Sequence, residues 1–141
     1  MSKPAIQLAP ERHAQIKAIA AARGLSITEV VARFVNNEIA AGTIPPGIEG
    51  VNIRTCDDGL LIGFDDEPPV HFSKEGAADL AATLREFADD AKRSQKVANV
   101  QHNYLIERKG SGVKLTVPMS GSITKAWPRD IARDVADLVA A

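Results

Sequence analysis

Apolar and polar positions change period along this chain, and each change predicts an element. Ala5-Ile6-Gln7-Leu8 alternates with a period of two, as a strand does. Pro10, with Glu11 beside it, then opens a helix, because the N–H that proline lacks is one the first turn leaves unpaired. Ile16, Ile19 and Ala20 give that helix an apolar face, and Gly24 supplies a left-handed C-terminal cap. A second helix follows at once. Ser26 with Glu29 three residues later reads as a capping box, and Leu25 with Val30 as a hydrophobic staple. Val30, Val31, Phe34, Val35 and Ile39 form one broad apolar stripe that requires a partner surface.

Gly42-Thr43-Ile44-Pro45-Pro46-Gly47 cannot continue a helix and predicts a linker. Beyond it, Val51 to Thr55 alternates, Asp57-Asp58-Gly59 turns, and Leu60 to Phe64 returns as a second strand. Val70-His71-Phe72 reads as a third strand, followed by a helix from about Ser73 to Lys92. The series then repeats. Tyr104 to Arg108, a turn at Gly110-Ser111-Gly112, Val113 to Val117, and Ser122-Ile123-Thr124 lead to a helix from Pro128 to the end. Leu80, Leu84 and Phe87 step by four and three, as do Ile131, Val135 and Leu138. The expected fold class is α+β. A strand-first domain over residues 1–44 precedes a domain over 45–141 built of two strand-strand-strand-helix repeats, at about 50–92 and 103–141. The polar stretch 93–103 joins the repeats, and together they are expected to bury one sheet under two helices.

Composition narrows the class. With 45% hydrophobic, 25% charged and only 4% aromatic residues, any core rests on Ala, Val, Ile and Leu. No apolar run approaches the roughly 18–20 residues of a membrane span. The N-terminus lacks the apolar region of a signal peptide, and the single cysteine, Cys56, has no internal partner; both predict a reducing cytoplasm. The net charge of −1 conceals an asymmetry: residues 1–48 carry +2, 49–91 carry −8 and 92–141 carry +5. An acidic block between two basic ones suggests complementary surfaces within the chain or between copies.

Residues 5–42 resemble the Arc/MetJ/CopG-type ribbon-helix-helix family. The resemblance rests on Ile6-Gln7-Leu8, Pro10-Glu11, Arg23-Gly24-Leu25-Ser26 and the stripe from Val30 to Val35. It implies an intertwined homodimer whose paired strands enter the major groove of double-stranded DNA at an inverted or direct repeat operator. By position it implies base reading by Lys3, Ala5 and Gln7, phosphate contacts at Ser26, Ile27 and Thr28, and a dimer core of Ile6, Leu8, Val30, Val31, Phe34 and Val35. Pro4 removes one ladder donor from the presumed strand, and Ala9 stands where a Ser or Asp cap is usual.

Other candidate chemistry is thin. His13, His71 and His102 are widely spaced and lack metal-type companions, so no metal is expected. Cys56 reads as a buried structural thiol, and Asp57-Asp58 and Asp65-Asp66-Glu67 as a solvated acidic rim at turns. Gly110-Ser111-Gly112 lacks the Lys-Ser/Thr of a phosphate loop, and Trp127 before Pro128 reads as a staple onto the last helix. No nucleophile–base pair and no cofactor motif emerges, so an enzyme is not expected. The leading expectation is a dimeric, sequence-specific DNA-binding repressor, of a kind also used in plasmid or phage maintenance. The alternative is an inhibitor or antitoxin that binds a protein partner through residues 49–141 and uses its first domain to dimerise and regulate its own gene.

Overall fold

A computed structural model describes residues 4–121 and 123–141. The chain divides into two compact units, Met1–Pro45 and Pro46–Ala141.

The first unit is a helical pair, α1 (Pro10–Arg23) and α2 (Ile27–Ala40). Gly24 takes φ 65° and ψ 34°, and the amide of Leu25 closes the turn on the carbonyl of Ala20 at 2.9 Å. The strand-first arrangement expected for this unit is corrected here. The first element is α1, and residues 4–9 form no strand. A strand must satisfy its backbone groups on a neighbour, and among the described residues none lies alongside. Pro4 and Pro10 also remove a donor at each end of the segment, leaving only Ile6 and Leu8 as a strand signal. Both are solvent-exposed, at 89% and 46%.

The second unit begins with β1 (Val51–Cys56), β2 (Gly59–Phe64), β3 (Val70–Ser73) and α3 (Lys74–Asp89). It continues with β4 (Val97–Asn99), β5 (Tyr104–Lys109), β6 (Gly112–Val117), β7 (Ile123–Trp127) and α4 (Arg129–Ala140). The strands form two antiparallel sheets, ordered β1-β2-β3 and β4-β5-β6-β7, rather than the single sheet expected. The second half carries one strand more than the sequence pattern predicted. Three-residue β4 lies in the polar stretch, where alternation is too brief to register.

Both sheets and both helices share one core. Leu80, Leu84 and Phe87 of α3 meet Ile62 and Phe64 of the first sheet and Tyr104, Ile106 and Leu115 of the second, all 1% exposed or less. On α4 the buried positions are Ala132, Val135, Ala136 and Val139, while Leu138 is only half-buried. Small alanines let α3 and α4 pack closely, which is how a chain so poor in aromatics fills its interior. Trp127 is buried, its ring centroid 6.0 Å from that of Phe64.

The two halves share a structural device. Gly59 opens β2 and Gly112 opens β6, each the first strand residue after a two-residue turn. A Cβ on Gly59 would collide with the carbonyl oxygen of Phe72, and one on Gly112 with that of Trp127. Phe72 and Trp127 in turn each precede the N-cap of the following helix, Ser73 and Pro128. In this correspondence β1-β2-β3-α3 matches β5-β6-β7-α4, and β4 is the addition.

Tyr104 anchors the second sheet to α3. Its hydroxyl donates to Oδ2 of Asp79 at 2.6 Å and lies 2.9 Å from Oγ1 of Thr83, while Asn99 donates to the same carboxylate oxygen at 2.7 Å. Burial, and then the bond to the Asp79 carboxylate, push the phenol from 10.0 up to about 12. The folded pKa lies above the unfolded one, so this contribution to stability is complete below pH 10 and is lost as pH rises toward 12. Tyr104 is the only tyrosine. Tyrosinate absorbance should therefore show one late transition near the higher value, and a midpoint near 10 in the folded protein would contradict the anchoring.

Candidate functional site

The helical pair displays the candidate DNA-contacting residues. Ser26 caps α2, its Oγ accepting from the amide of Glu29 at 3.1 Å while its own amide donates to Oε1 of Glu29 at 3.2 Å. Both capping-box bonds thus exist, and they restrict the phosphate site expected here. The amide and hydroxyl oxygen of Ser26 are already engaged, and a carboxylate stands at the helix entrance. Ile27 and Thr28 keep first-turn amides, which have no acceptor within a helix. Of the expected base readers, Ala5 and Gln7 are exposed ahead of α1, and Lys3 lies outside the described residues.

The apolar face of this unit is open. Val31 is 49% exposed, Phe34 65%, Val35 39% and Ile19 45%; Ala20 is the only residue buried in α1, and none is buried in α2. Val30 is half-buried. Arg23, Leu25, Val30 and Phe34 line an open groove between the two helices. Arg12, Lys17, Arg23 and Arg33 are all exposed on the same unit.

In the second unit most cations are committed to the fold. Arg108 donates to the carbonyls of Phe87 (2.7 Å), Asp90 (2.6 Å), Arg93 (2.9 Å) and Gly112 (3.2 Å). Arg129 donates to the carbonyl of Ala88 at 2.8 Å, and Arg133 to the carboxylate of Asp89 at 2.9 Å. The C-terminus of α3, where carbonyls lack intrahelical partners and the helix dipole is negative, is thus closed by arginines from β5 and α4. Burial and the neighbouring Arg129 push the Arg108 guanidinium below its ordinary value. Lys125 pairs with Asp65 at 2.9 Å. The basic third segment therefore neutralises part of the acidic middle one within the unit, which leaves less of its charge for a nucleic acid.

No protein-family model, curated protein or solved structure matches the chain.

One grouping was invisible in the sequence. Cys56, Asp58 and His71 converge beside the β1–β2 turn, with their ligand-type atoms all within 4.8 Å of one another. Sγ of Cys56 lies 3.4 Å from Oδ1 of Asp58, and Nε2 of His71 lies 3.1 Å from the same oxygen. The expectation of a buried structural thiol is corrected, since Cys56 is half-buried; His71, remote in sequence, is a neighbour in space. The signal was obscured because thirteen positions separate Asp58 from His71 and strand pairing alone closes the gap. Among the described residues no helix is long and apolar enough to cross a membrane.

Proposed function

We propose that this protein is a homodimeric, sequence-specific DNA-binding protein, most simply a transcriptional repressor of the cytoplasm, assembled through its N-terminal helical pair. The observation that carries the reading is the open apolar face of α1 and α2. Two helices that bury one alanine have no core of their own, and Ile19, Val31, Phe34 and Val35 require a second surface to leave water. A second copy supplies an identical face, and two-fold symmetry brings two sets of exposed arginines and lysines to one side of a duplex. Arg12, Lys17, Arg23 and Arg33 supply phosphate contacts, joined by the first-turn amides of Ile27 and Thr28. Base reading falls to the exposed arm ahead of α1, where the Gln7 amide suits an adenine edge.

Footprinting of the DNA upstream of the protein's own gene, across a salt series, tests this. The expected result is a protected repeat, with affinity falling by on the order of 10³-fold between about 50 and 200 mM salt. Gln7→Ala should weaken that site by roughly tenfold while leaving the oligomeric state unchanged. Absence of protection at low salt, from a protein shown to be a folded dimer, would overturn the reading. It would favour instead a basic protein partner for the exposed acidic turn residues Asp57, Asp66 and Glu67.

A further inference from the structure

We propose that Cys56, Asp58 and His71 form a three-donor site for a divalent transition-metal ion of the zinc class. All three residues lie in the second unit, and the site does not depend on DNA binding.

Strand register builds the site. Cys56 pairs with Gly59, and Gly59 pairs with Ser73; one step along, Arg54 pairs with Leu61 and Leu61 with His71. Side chains alternate across a strand, so Cys56 and His71 share the face of the sheet opposite Leu60, Ile62 and Phe72, which enter the core. Between them on β2 lies Gly59, which presents no side chain. No larger residue fits there, because the Phe72 carbonyl occupies the position of its Cβ. Asp58, the second residue of the turn, folds into the opening and meets both partners through one oxygen. Three donors from a strand end, a turn and a non-adjacent strand are thus brought together by backbone pairing.

The donor set and its spacing fit the ion. Zinc is held by sulfur at about 2.3 Å and by imidazole or carboxylate at about 2.0–2.2 Å, so ligand atoms on one face of its tetrahedron lie about 3.4–3.6 Å apart. The Sγ···Oδ1 and Nε2···Oδ1 separations of 3.4 and 3.1 Å are already close to these values. A thiolate, a carboxylate and a neutral imidazole carry two negative charges and balance a dication. Soft sulfur with imidazole disfavours magnesium and calcium, which take oxygen ligands. The fourth position opens to solvent, where a water completes the tetrahedron: the Asp58 and His71 side chains are 78% and 46% exposed. Without the ion, Cys56 is a protonated thiol donating to Asp58, held up by burial and by that carboxylate. A poised nucleophile would need the thiolate instead. Metal binding breaks the S–H bond, forms the metal–sulfur bond and releases one proton to solvent.

Cobalt(II) titrated into the full reduced chain tests the site. The expected signature is one equivalent bound, with the visible bands of tetrahedral cobalt and a near-ultraviolet thiolate charge-transfer band that excess zinc removes. Cys56→Ser should abolish the charge-transfer band, and His71→Ala should weaken binding by at least about tenfold. His13→Ala should bind as the parent does. An independent readout on the unaltered chain uses the fact that Cys56 is the only cysteine. Zinc should slow its alkylation by iodoacetamide, and a chelator should restore the rate. A missing charge-transfer band together with unprotected alkylation would overturn the assignment, as would cobalt affinity in Cys56→Ser and His71→Ala equal to that of the parent.

Discussion

Arg108→Ala is expected to destabilise the second unit by roughly 3 kcal/mol or more, since each carbonyl left without a donor costs about 1–3 kcal/mol where water cannot replace it. The guanidinium satisfies four carbonyls from three parts of the chain: the end of α3, the loop after it and the start of β6. It also lies 5.3 Å from the centroid of the Phe87 ring, with Arg93 at 5.0 Å from the same ring. Alanine removes the donors and the cation over the ring together. Lysine is not an adequate substitute, because one ammonium lacks the planar fork that spans several acceptors. Arg108→Lys should recover less than half of the loss. Urea unfolding followed by the fluorescence of Trp127, the only tryptophan and a buried one, reads both variants. A lysine variant as stable as the parent would show that charge, rather than the fork, matters there.

Phe34→Asp should have the second large effect, on assembly. At 65% exposure Phe34 is the most open of the large apolar residues on α2. A carboxylate placed in a helical interface must be desolvated without a partner, so the dimer dissociation constant should rise at least about 100-fold, equivalent to about 3 kcal/mol. Sedimentation velocity across a concentration series measures it. Unchanged Trp127 fluorescence would confirm that the second unit stays folded. A variant that sediments like the parent would place the interface elsewhere and remove the main support for the DNA-binding reading.

Features with strong local chemistry were the legible ones. Gly24 between two helices takes the left-handed conformation its position demanded, and Ser26 with Glu29 makes both bonds of the capping box. In such signals the residues that decide the structure are three or four positions apart. Ile6 and Leu8 misled for the complementary reason: alternation over four residues describes a strand only when another strand lies alongside. The same limit hid the division into two sheets, the role of Arg108 and the meeting of Cys56 with His71. Each depends on residues that strand register or helix packing brings together, and none has a local spacing to betray it. Gly59 marks the boundary between the two kinds of signal. Its turn was readable from Asp57-Asp58-Gly59, whereas its contact with the Phe72 backbone was not.

In both sheets every hydrogen-bonded strand pair joins neighbours in sequence, and each sheet leads directly into its helix through a single capping residue. This ordering has a kinetic consequence. Closing each hairpin loses little chain entropy, so both halves should form their sheets early and independently. The most extensive contact between the halves is the packing of α3 on α4, reinforced by Tyr104 on Asp79 and Arg108 on the end of α3. The slow step of folding should therefore be the docking of two preformed halves, and mutations at the α3–α4 contact should lower the folding rate more than equally destabilising ones within either sheet.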